Sequence, residues 1–494
     1  MRPTLAHHGQ CEYVADRRIH VTSTRDVPNG RLYGPPGEYV QIVGGIGPCG
    51  APKLGVMTEP DVPHRHPLES PLLERHRAVL PSWMALYYDE PIEIVRASGR
   101  RVTDGDGRTY LDFFAGILTN AIGYDVAEIS DAVRSQLDTG VLHTSTLYLI
   151  RKQVELAERI AELSGIPDAK VFFTNSGTEA NETALMLATQ YRRSNQILTL
   201  RNSYHGRAFG TVGITGNRGW SASSLSPVKV GYVHGGYRYR GPFAGLDDAG
   251  YIDACTEDLR DVLRTSTSGD VAAFIAEPIQ GVGGFSTPPD GMLGAFKEVL
   301  DEHGILLISD EVQTGWGRTG EHFWGIDAHG VTPDVMTFAK GLGNGLAIGG
   351  VVARGDIMDC LGANSISTFG GNPVATAGAQ ATLDYVLDHD LQGNAAKQGA
   401  TLMAGLRDIQ SRHDLVGDVR GKGLMIGIEL VRPGGDEPDP AAAGRVLEET
   451  KARGLLIGKG GLYGNVLRLA PPMTLTSEEV TEALGILGES IAAV

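Results

Sequence analysis

Apolar residues along this chain recur with two different periods. Short continuous runs bounded by turn residues lie at Val171 to Thr174, Ile197 to Leu200, Val271 to Ala276, Ile305 to Ser309 and Val335 to Ala339. Their length and β-branched or aromatic content predict buried strands. Between them the spacing is helical: Ala180, Ala184, Leu187, Ala188 and Tyr191 form one face, and Met292, Leu293, Phe296, Val299 and Leu300 another, closed by Gly304. Strand–helix alternation of this kind predicts a mostly parallel sheet with helices on both faces. The last two runs are separated by a connection long enough for a crossover, so they are predicted to be parallel neighbours.

The flanking regions read differently. Residues 97 to 114 predict a short hairpin turning at Asp104-Gly105-Asp106-Gly107. Val126, Ile129, Val133 and Leu137 recur at helical spacing, as do Val154, Leu156, Ile160 and Leu163. Beyond about residue 365 the pattern changes to longer helices with strands at Leu424 to Leu430 and Val466 to Leu469, which suits a second, smaller domain. Residues 1 to 75 are Pro- and Gly-rich with little helical period; they predict a partly ordered extension that packs on the body, of no legible chemistry.

Composition narrows the function classes. A formal charge of −16 over 494 residues disfavours nucleic acid and anionic membranes as partners. No apolar run approaches the roughly 20 residues of a membrane span, and Met1 to Gln10 lacks the apolar core of a signal peptide. Cys11, Cys49, Cys255 and Cys360 are scattered, without CxxC or a Cys/His cluster, so neither a disulfide framework nor a metal site is expected and a cytoplasmic location is.

The chemistry lies where the strands end. One run ends on Asp310 and the next on Lys340, placing an acid and an amine at the carboxyl edge of the sheet, where α/β folds bind ligands. A buried Lys loses part of its preference for charge and becomes a nucleophile, and a buried Asp calls for a cationic partner. Ser176-Gly177-Thr178 opens a helix, either as a plain N-cap or as a phosphate cradle. Tyr204-His205-Gly206 and Glu277 follow two further strands. Each is ordinary alone; five polar strand ends on one edge are not.

These residues sit in motifs that resemble the class III (ω-amino acid) aminotransferases. Ile308 to Gly315 (ISDEVQTG), Gly317 to Gly320, Ala339-Lys340-Gly341, Asn175 to Asn181 (NSGTEAN), Tyr204 to Arg207, Glu277 to Gly281 and Thr368 to Pro373 carry the resemblance, which covers about residues 75 to 494. Within the class, Tyr110 to Gly116, His143 to Thr146, His322 to Gly325, Val416 to Glu429 and Arg468 to Met473 are most similar to the alanine–glyoxylate aminotransferase 2 type. The resemblance implies the fold type I architecture of pyridoxal 5'-phosphate enzymes. A large cofactor domain is expected over 125–365, a small α+β domain over 76–124 and 366–494, and a homodimer with active sites at its interface.

It also implies roles. Lys340 forms the Schiff base with pyridoxal phosphate and moves the α-proton, and Asp310 keeps the pyridine nitrogen protonated. Gln313 bonds the ring hydroxyl, and Tyr204, with His205 beside it, stacks on the ring. Ser176, Gly177 and Thr178 hold the phosphate, with Thr368 reaching the phosphate of the other subunit. Arg468 clamps the substrate carboxylate, and Glu277 pairs with it when that end of the substrate is uncharged. Arg207 stands where some members bind a second carboxylate, and Ile366 replaces a small residue. Alanine or a short β-amino acid as donor, with glyoxylate or pyruvate as acceptor, is the expectation. The alternatives are a 4-aminobutyrate, ornithine or acetylornithine enzyme using 2-oxoglutarate, an aminomutase or decarboxylase, and a catalytically degenerate binding protein.

Overall fold

The computed structural model describes residues 71–84 and 86–494 in full, and 31–33 and 39–41 as backbone; the rest of the extension over 1–75 lies outside the described residues. The chain divides into two compact units, Met1–Met84 and Ala85–Val494. In the first, β1 (Arg31–Tyr33) and β2 (Tyr39–Gln41) pair antiparallel, and a helix spans Leu72–Val79.

The larger unit opens with an antiparallel meander, β3 (Ile94–Ser98), β4 (Arg101–Asp104) and β5 (Thr109–Asp112), one strand more than the predicted hairpin. Asp104 makes the turn: its Oδ1 accepts the N–H groups of Asp106 (3.0 Å) and Arg108 (2.9 Å), replacing backbone partners the turn cannot supply.

Seven strands then build the main sheet: β6 (Ala169–Thr174), β7 (Gln196–Leu200), β8 (Lys229–Val233), β9 (Ala273–Ala276), β10 (Leu306–Asp310), β11 (Val335–Phe338) and β12 (Gly349–Arg354). Their order is β6-β12-β11-β10-β9-β7-β8, and all run parallel except β12. Alternate residues serve opposite faces. Ile197, Ile275, Ile308, Val335 and Val351 pack with Ala180, Ala184, Leu187 and Ala188 of the helix Gly177–Arg192. Leu198, Phe274, Leu307, Met336 and Val352 pack with Leu156, Ile160, Leu259, Phe296 and Leu300 on the other side. Burial on both faces explains why these strands are continuous apolar runs. Tyr191, assigned to the apolar face, is 36% exposed, and its hydroxyl donates to Asp356.

β10 and β11 are parallel neighbours, as their spacing predicts. Their connection is made of buried turns and a 3-10 helix, Gly325–His329. Glu311 organises it: the carboxylate accepts Ser309 Oγ (3.1 Å), Thr314 Oγ1 (2.5 Å) and the N–H groups of Gly325 (2.9 Å) and Ile326 (2.8 Å).

The C-terminal segment forms a second antiparallel sheet, in order β13 (Val416–Lys422), β14 (Met425–Leu430), β17 (Val466–Leu469) and β16 (Gly458–Gly460). Strand β15 (Leu455–Leu456) joins the meander instead, parallel to β5. One core runs through both, uniting Leu111, Phe113 and Ile122 with Leu402, Leu406, Ile426, Leu467 and Leu487.

Candidate active site

A cavity of about 360 Å³ opens at the carboxyl ends of the parallel strands. Ser176, Gly177, Thr178, Tyr204, His205, Glu277, Asp310, Gln313 and Lys340 all line it. Because β12 runs antiparallel it starts at this edge, so Ala347 and Ile348, which precede it, close the wall.

Asp310 is the most constrained group. Its carboxylate is 4% exposed; Oδ2 accepts Asn181 Nδ2 at 2.7 Å and meets His205 Nδ1 at 2.8 Å, while Oδ1 accepts Val312 N–H at 3.1 Å. His205 is held from behind by Thr199 Oγ1, 3.1 Å from Nε2, and Asn181 Oδ1 accepts Thr337 Oγ1 at 2.7 Å. Side chains from β11 and from β7, on either side of β10, thus fix the orientation of one acid through Asn181 and His205.

Lys340 sits two residues past β11 with φ +44°, a left-handed conformation that costs a side-chain-bearing residue of order 1–3 kcal/mol. Burial lowers its pKa to about 8, against the opposing pull of Asp310 and Glu277. At neutral pH about one amine in ten is then neutral and able to attack. Glu277 moves the other way: burial raises it to about 7, although His205 and the N–H groups of Tyr204 (2.9 Å) and Gly281 (2.8 Å) stabilise its charge.

Ser176 caps the helix Gly177–Arg192, its Oγ accepting Glu179 N–H at 3.2 Å. The first N–H groups of that helix lack intrahelical acceptors and face the cavity end with the positive pole of the helix dipole. Gly177 leaves room there, since a Cβ would fall 2.8 Å from Val312 Cγ1. Gln313 packs so tightly on Gly281 that a Cβ there would lie 2.1 Å from its Nε2; its buried Oε1 has no partner among the described residues. Tyr204 borders the cavity, and the ring of Trp220 meets it edge-on at 5.7 Å.

The remaining expected residues lie apart from this wall. Arg468, on β17, is 1% exposed: Nη1 donates to Gly281 O (3.2 Å), Nη2 to Tyr87 Oη (3.1 Å), and Nε has no partner among the described residues. Its guanidinium carbon lies 4.8 Å from the ring centroid of Phe114 and 5.5 Å from that of Phe285. Burial lowers its pKa, while Tyr87 and Glu277 counteract. Arg207 is exposed, and its charge acts on the Tyr204 hydroxyl. Thr368 is exposed and does not line the cavity.

Sequence reasoning passed over several groups. Asn181 was visible only as part of a motif, with nothing to mark it as the partner of Asp310. The segment after β5 was visible only as part of the Tyr110 to Gly116 motif, with nothing to mark its backbone conformation. Ala115, Gly116, Ile117 and Leu118 have φ of +47°, +61°, +65° and +63°, a single left-handed turn. Asp112 holds it, Oδ1 accepting the N–H groups of Phe114 (2.8 Å) and Ala115 (2.9 Å), with Tyr124 donating to Oδ2 (2.6 Å). The turn sets Phe114 against Arg468 and delivers Thr119 to the cavity wall.

This donor set fits pyridoxal phosphate. A buried amine can bond an aldehyde, a fixed carboxylate can face a pyridinium, and a capped helix N-terminus can take a phosphate. The orphaned Gln313 oxygen is ready for a hydroxyl. Comparisons agree. The model of the family "Aminotransferase class-III" matches residues 84–491. The chain is 39% identical to the mitochondrial alanine–glyoxylate aminotransferase 2 homolog 2 of Arabidopsis thaliana, over 84% of this chain and 86% of that one. It is 38% identical to the acetylornithine aminotransferase of Caldanaerobacter subterraneus, over 83% and 97%. An amine transaminase from an uncultivated Pseudomonas species, solved with pyridoxal phosphate bound, superposes with TM-score 0.77 at 33% identity, covering 84% and 98%. The chain belongs to the class-III aminotransferases and is a pyridoxal phosphate enzyme.

Proposed function

We propose that this class-III aminotransferase moves the amino group of alanine or a short β-amino acid to glyoxylate or pyruvate. One observation carries the choice: Arg468 is a single desolvated guanidinium walled by Tyr87, Phe114 and Phe285, so it suits one carboxylate on a small substrate. The Arabidopsis relative's name points the same way. A planar fork among aromatic faces pairs both carboxylate oxygens at once, which an ammonium cannot do.

The cofactor, when bound, supplies an electron sink for charge developing at the substrate α-carbon. Asp310, immobilised by Asn181 and His205, holds the ring-nitrogen proton that keeps the sink open. Lys340 anchors the cofactor and, once displaced, carries the α-proton, a task suited to an amine lowered to about pH 8. Ser176, Gly177 and Thr178 receive the phosphate; Gln313 and Tyr204 orient and cover the ring. Glu277, near neutrality at about 7, offsets Arg468 when no substrate carboxylate is present.

Steady-state rates for alanine, β-alanine, 3-aminoisobutyrate, 4-aminobutyrate, ornithine and N-acetylornithine against glyoxylate, pyruvate and 2-oxoglutarate test this directly. The small donors and acceptors should lead. A second reading, an ornithine or acetylornithine enzyme, draws on exposed Arg207 beside Tyr204 and on the Caldanaerobacter relative. A strong preference for 2-oxoglutarate that disappears in Arg207→Ala would establish it in place of the first.

The working unit in this proposal is a homodimer. Leu142, Leu147, Tyr148 and Leu149 are 56%, 78%, 71% and 97% exposed, and Phe369, 61% exposed, meets the His143 ring at a tilt, 5.0 Å between centroids, beside Thr368. Apolar surface of this extent suits a subunit interface, and Thr368 would reach the partner's phosphate. Mixing Lys340→Ala with Thr368→Ala subunits should restore part of the activity; no restoration would mean that each site is built within one chain.

A further inference from the structure

A second and larger cleft, of about 790 Å³, lies beside the active site and plays no part in the transamination described above. Its charge is unusual for this molecule. Arg201, Arg218, His234 and Arg240 line it and no carboxylate side chain does, although the chain as a whole carries a formal charge of −16. The cofactor cavity, by contrast, contains both Glu277 and Asp310. Arg240 is already balanced by Glu429, its Nε lying 3.1 Å from Oε1. Arg201 and Arg218 are not: both are exposed, and neither side chain makes an ion pair or hydrogen bond among the described residues. The rest of the wall mixes small polar residues with aromatic ones, Tyr237, Phe243 and Tyr463 among them. Unpaired guanidinium groups over aromatic walls recognise planar or apolar bodies carrying phosphate or carboxylate.

The cleft is also wired to the catalytic cavity. Buried Asn217 anchors the loop that forms one side: its Nδ2 donates to Asn202 Oδ1 (2.8 Å), its Oδ1 accepts Gly219 N–H (3.0 Å), and its carbonyl accepts the N–H groups of Trp220 and Ser221 (both 3.0 Å). This short segment turns Arg218 toward the cleft wall and sets Trp220 edge-on against Tyr204 of the cofactor cavity. Asn202, which lines the cleft, donates to Gly283 O (3.1 Å) in the loop that also carries Gly281, the carbonyl partner of Arg468.

We infer that this cleft is a second binding site, for an organic anion with a phosphate or carboxylate head and an apolar or aromatic body, and that its occupancy is sensed at the active site through the loop bearing Trp220. Holoenzyme titrated calorimetrically with ADP at fixed ionic strength and without magnesium should give saturable binding with a sub-millimolar Kd. Pyrophosphate should bind more weakly and adenosine not at all. Arg201→Ala/Arg218→Ala should weaken ADP at least tenfold while alanine turnover without ADP stays within twofold. Trp220→Phe should keep the affinity but lose the effect of ADP on alanine kinetics. The kinetic pattern separates the sources of the anion: competition with the amino donor marks the cleft as the seat of a substrate's distal head, whereas a change in kcat marks a free effector. Absence of saturable heat, or equal binding by the wild type and the double variant, overturns the site. The binding outcomes do not depend on which amino acid is the physiological donor, so a failed site and a failed donor assignment are distinguishable.

Discussion

Asp310 and Arg468 are both buried charges, assigned to one active site by the function proposed above, yet the protein treats them in opposite ways. Asp310, at the end of a strand flanked by parallel neighbours, is saturated by Asn181, His205 and a backbone N–H, and two of those partners are themselves tied to other strands of the same sheet, β11 and β7. Arg468, on the antiparallel sheet, has among the described residues one carbonyl, one phenol and an Nε with no partner. A group that must act on a resident cofactor can be fully satisfied, because its working partner never leaves. A group that must greet a succession of substrates has to keep donors in reserve, and it bears the cost of leaving them unpaired in a dry pocket, about 1–3 kcal/mol for a buried donor. In the proposed function the cofactor end is therefore preorganised and the substrate end is kept underpaired.

The contrast can be broken from either side. Lys340→Ala should abolish turnover altogether, and borohydride should no longer fix cofactor to the protein; fixation elsewhere would move the anchor to another lysine. In the wild-type apoenzyme, cofactor attachment should slow about tenfold for each pH unit below about 8, where the buried amine gains its proton, and level off above it. A rate still climbing toward pH 10 would mean an unperturbed lysine. Asp310→Asn should cost on the order of 10³-fold or more in kcat with the fold intact, since a neutral amide cannot hold the ring proton; near-normal turnover would make the acid structural. Arg468→Lys should be milder, roughly 1–3 kcal/mol in kcat/KM for every carboxylate substrate, through loss of the fork. Equal loss on an amine donor lacking a carboxylate would show that the arginine serves packing alone. Smallest should be Asp112→Asn, which loosens the left-handed turn beneath Phe114. KM for carboxylate donors should rise severalfold, kcat for simple amines should hold, and thermal stability should fall by about 1 kcal/mol. An unchanged KM ratio would separate the turn from the arginine.

Much of the large sheet was legible because its strands are buried on both faces and so stand out as uninterrupted apolar runs that end where the chain must turn. Asp310, Lys340 and Glu277 could be singled out for the same reason: a charge that ends an apolar run is conspicuous. The connection between β10 and β11 was legible in length but not in kind. No helical period marks it, and Glu311 assembles it from serine, threonine and amide donors that any loop contains. The three-stranded meander was read one strand short, because β3 is mostly exposed and lacks apolar alternation.

The sequence by itself determined five of the seven main-sheet strands and helices between them, the two-faced burial of the sheet and the identity of the acid and amine at its edge, since these follow from local periodicity and from the rarity of charge beside apolar runs; β8 and β12 were not read. Only the tertiary structure decided which groups meet across long stretches of chain. It brought Asn181 and His205 to Asp310, Tyr87 to Arg468 and the Asp112 turn to Phe114, and it gathered four basic residues into a cleft free of acids. Such contacts rest on the packing of whole elements, so no pattern within a few residues can announce them.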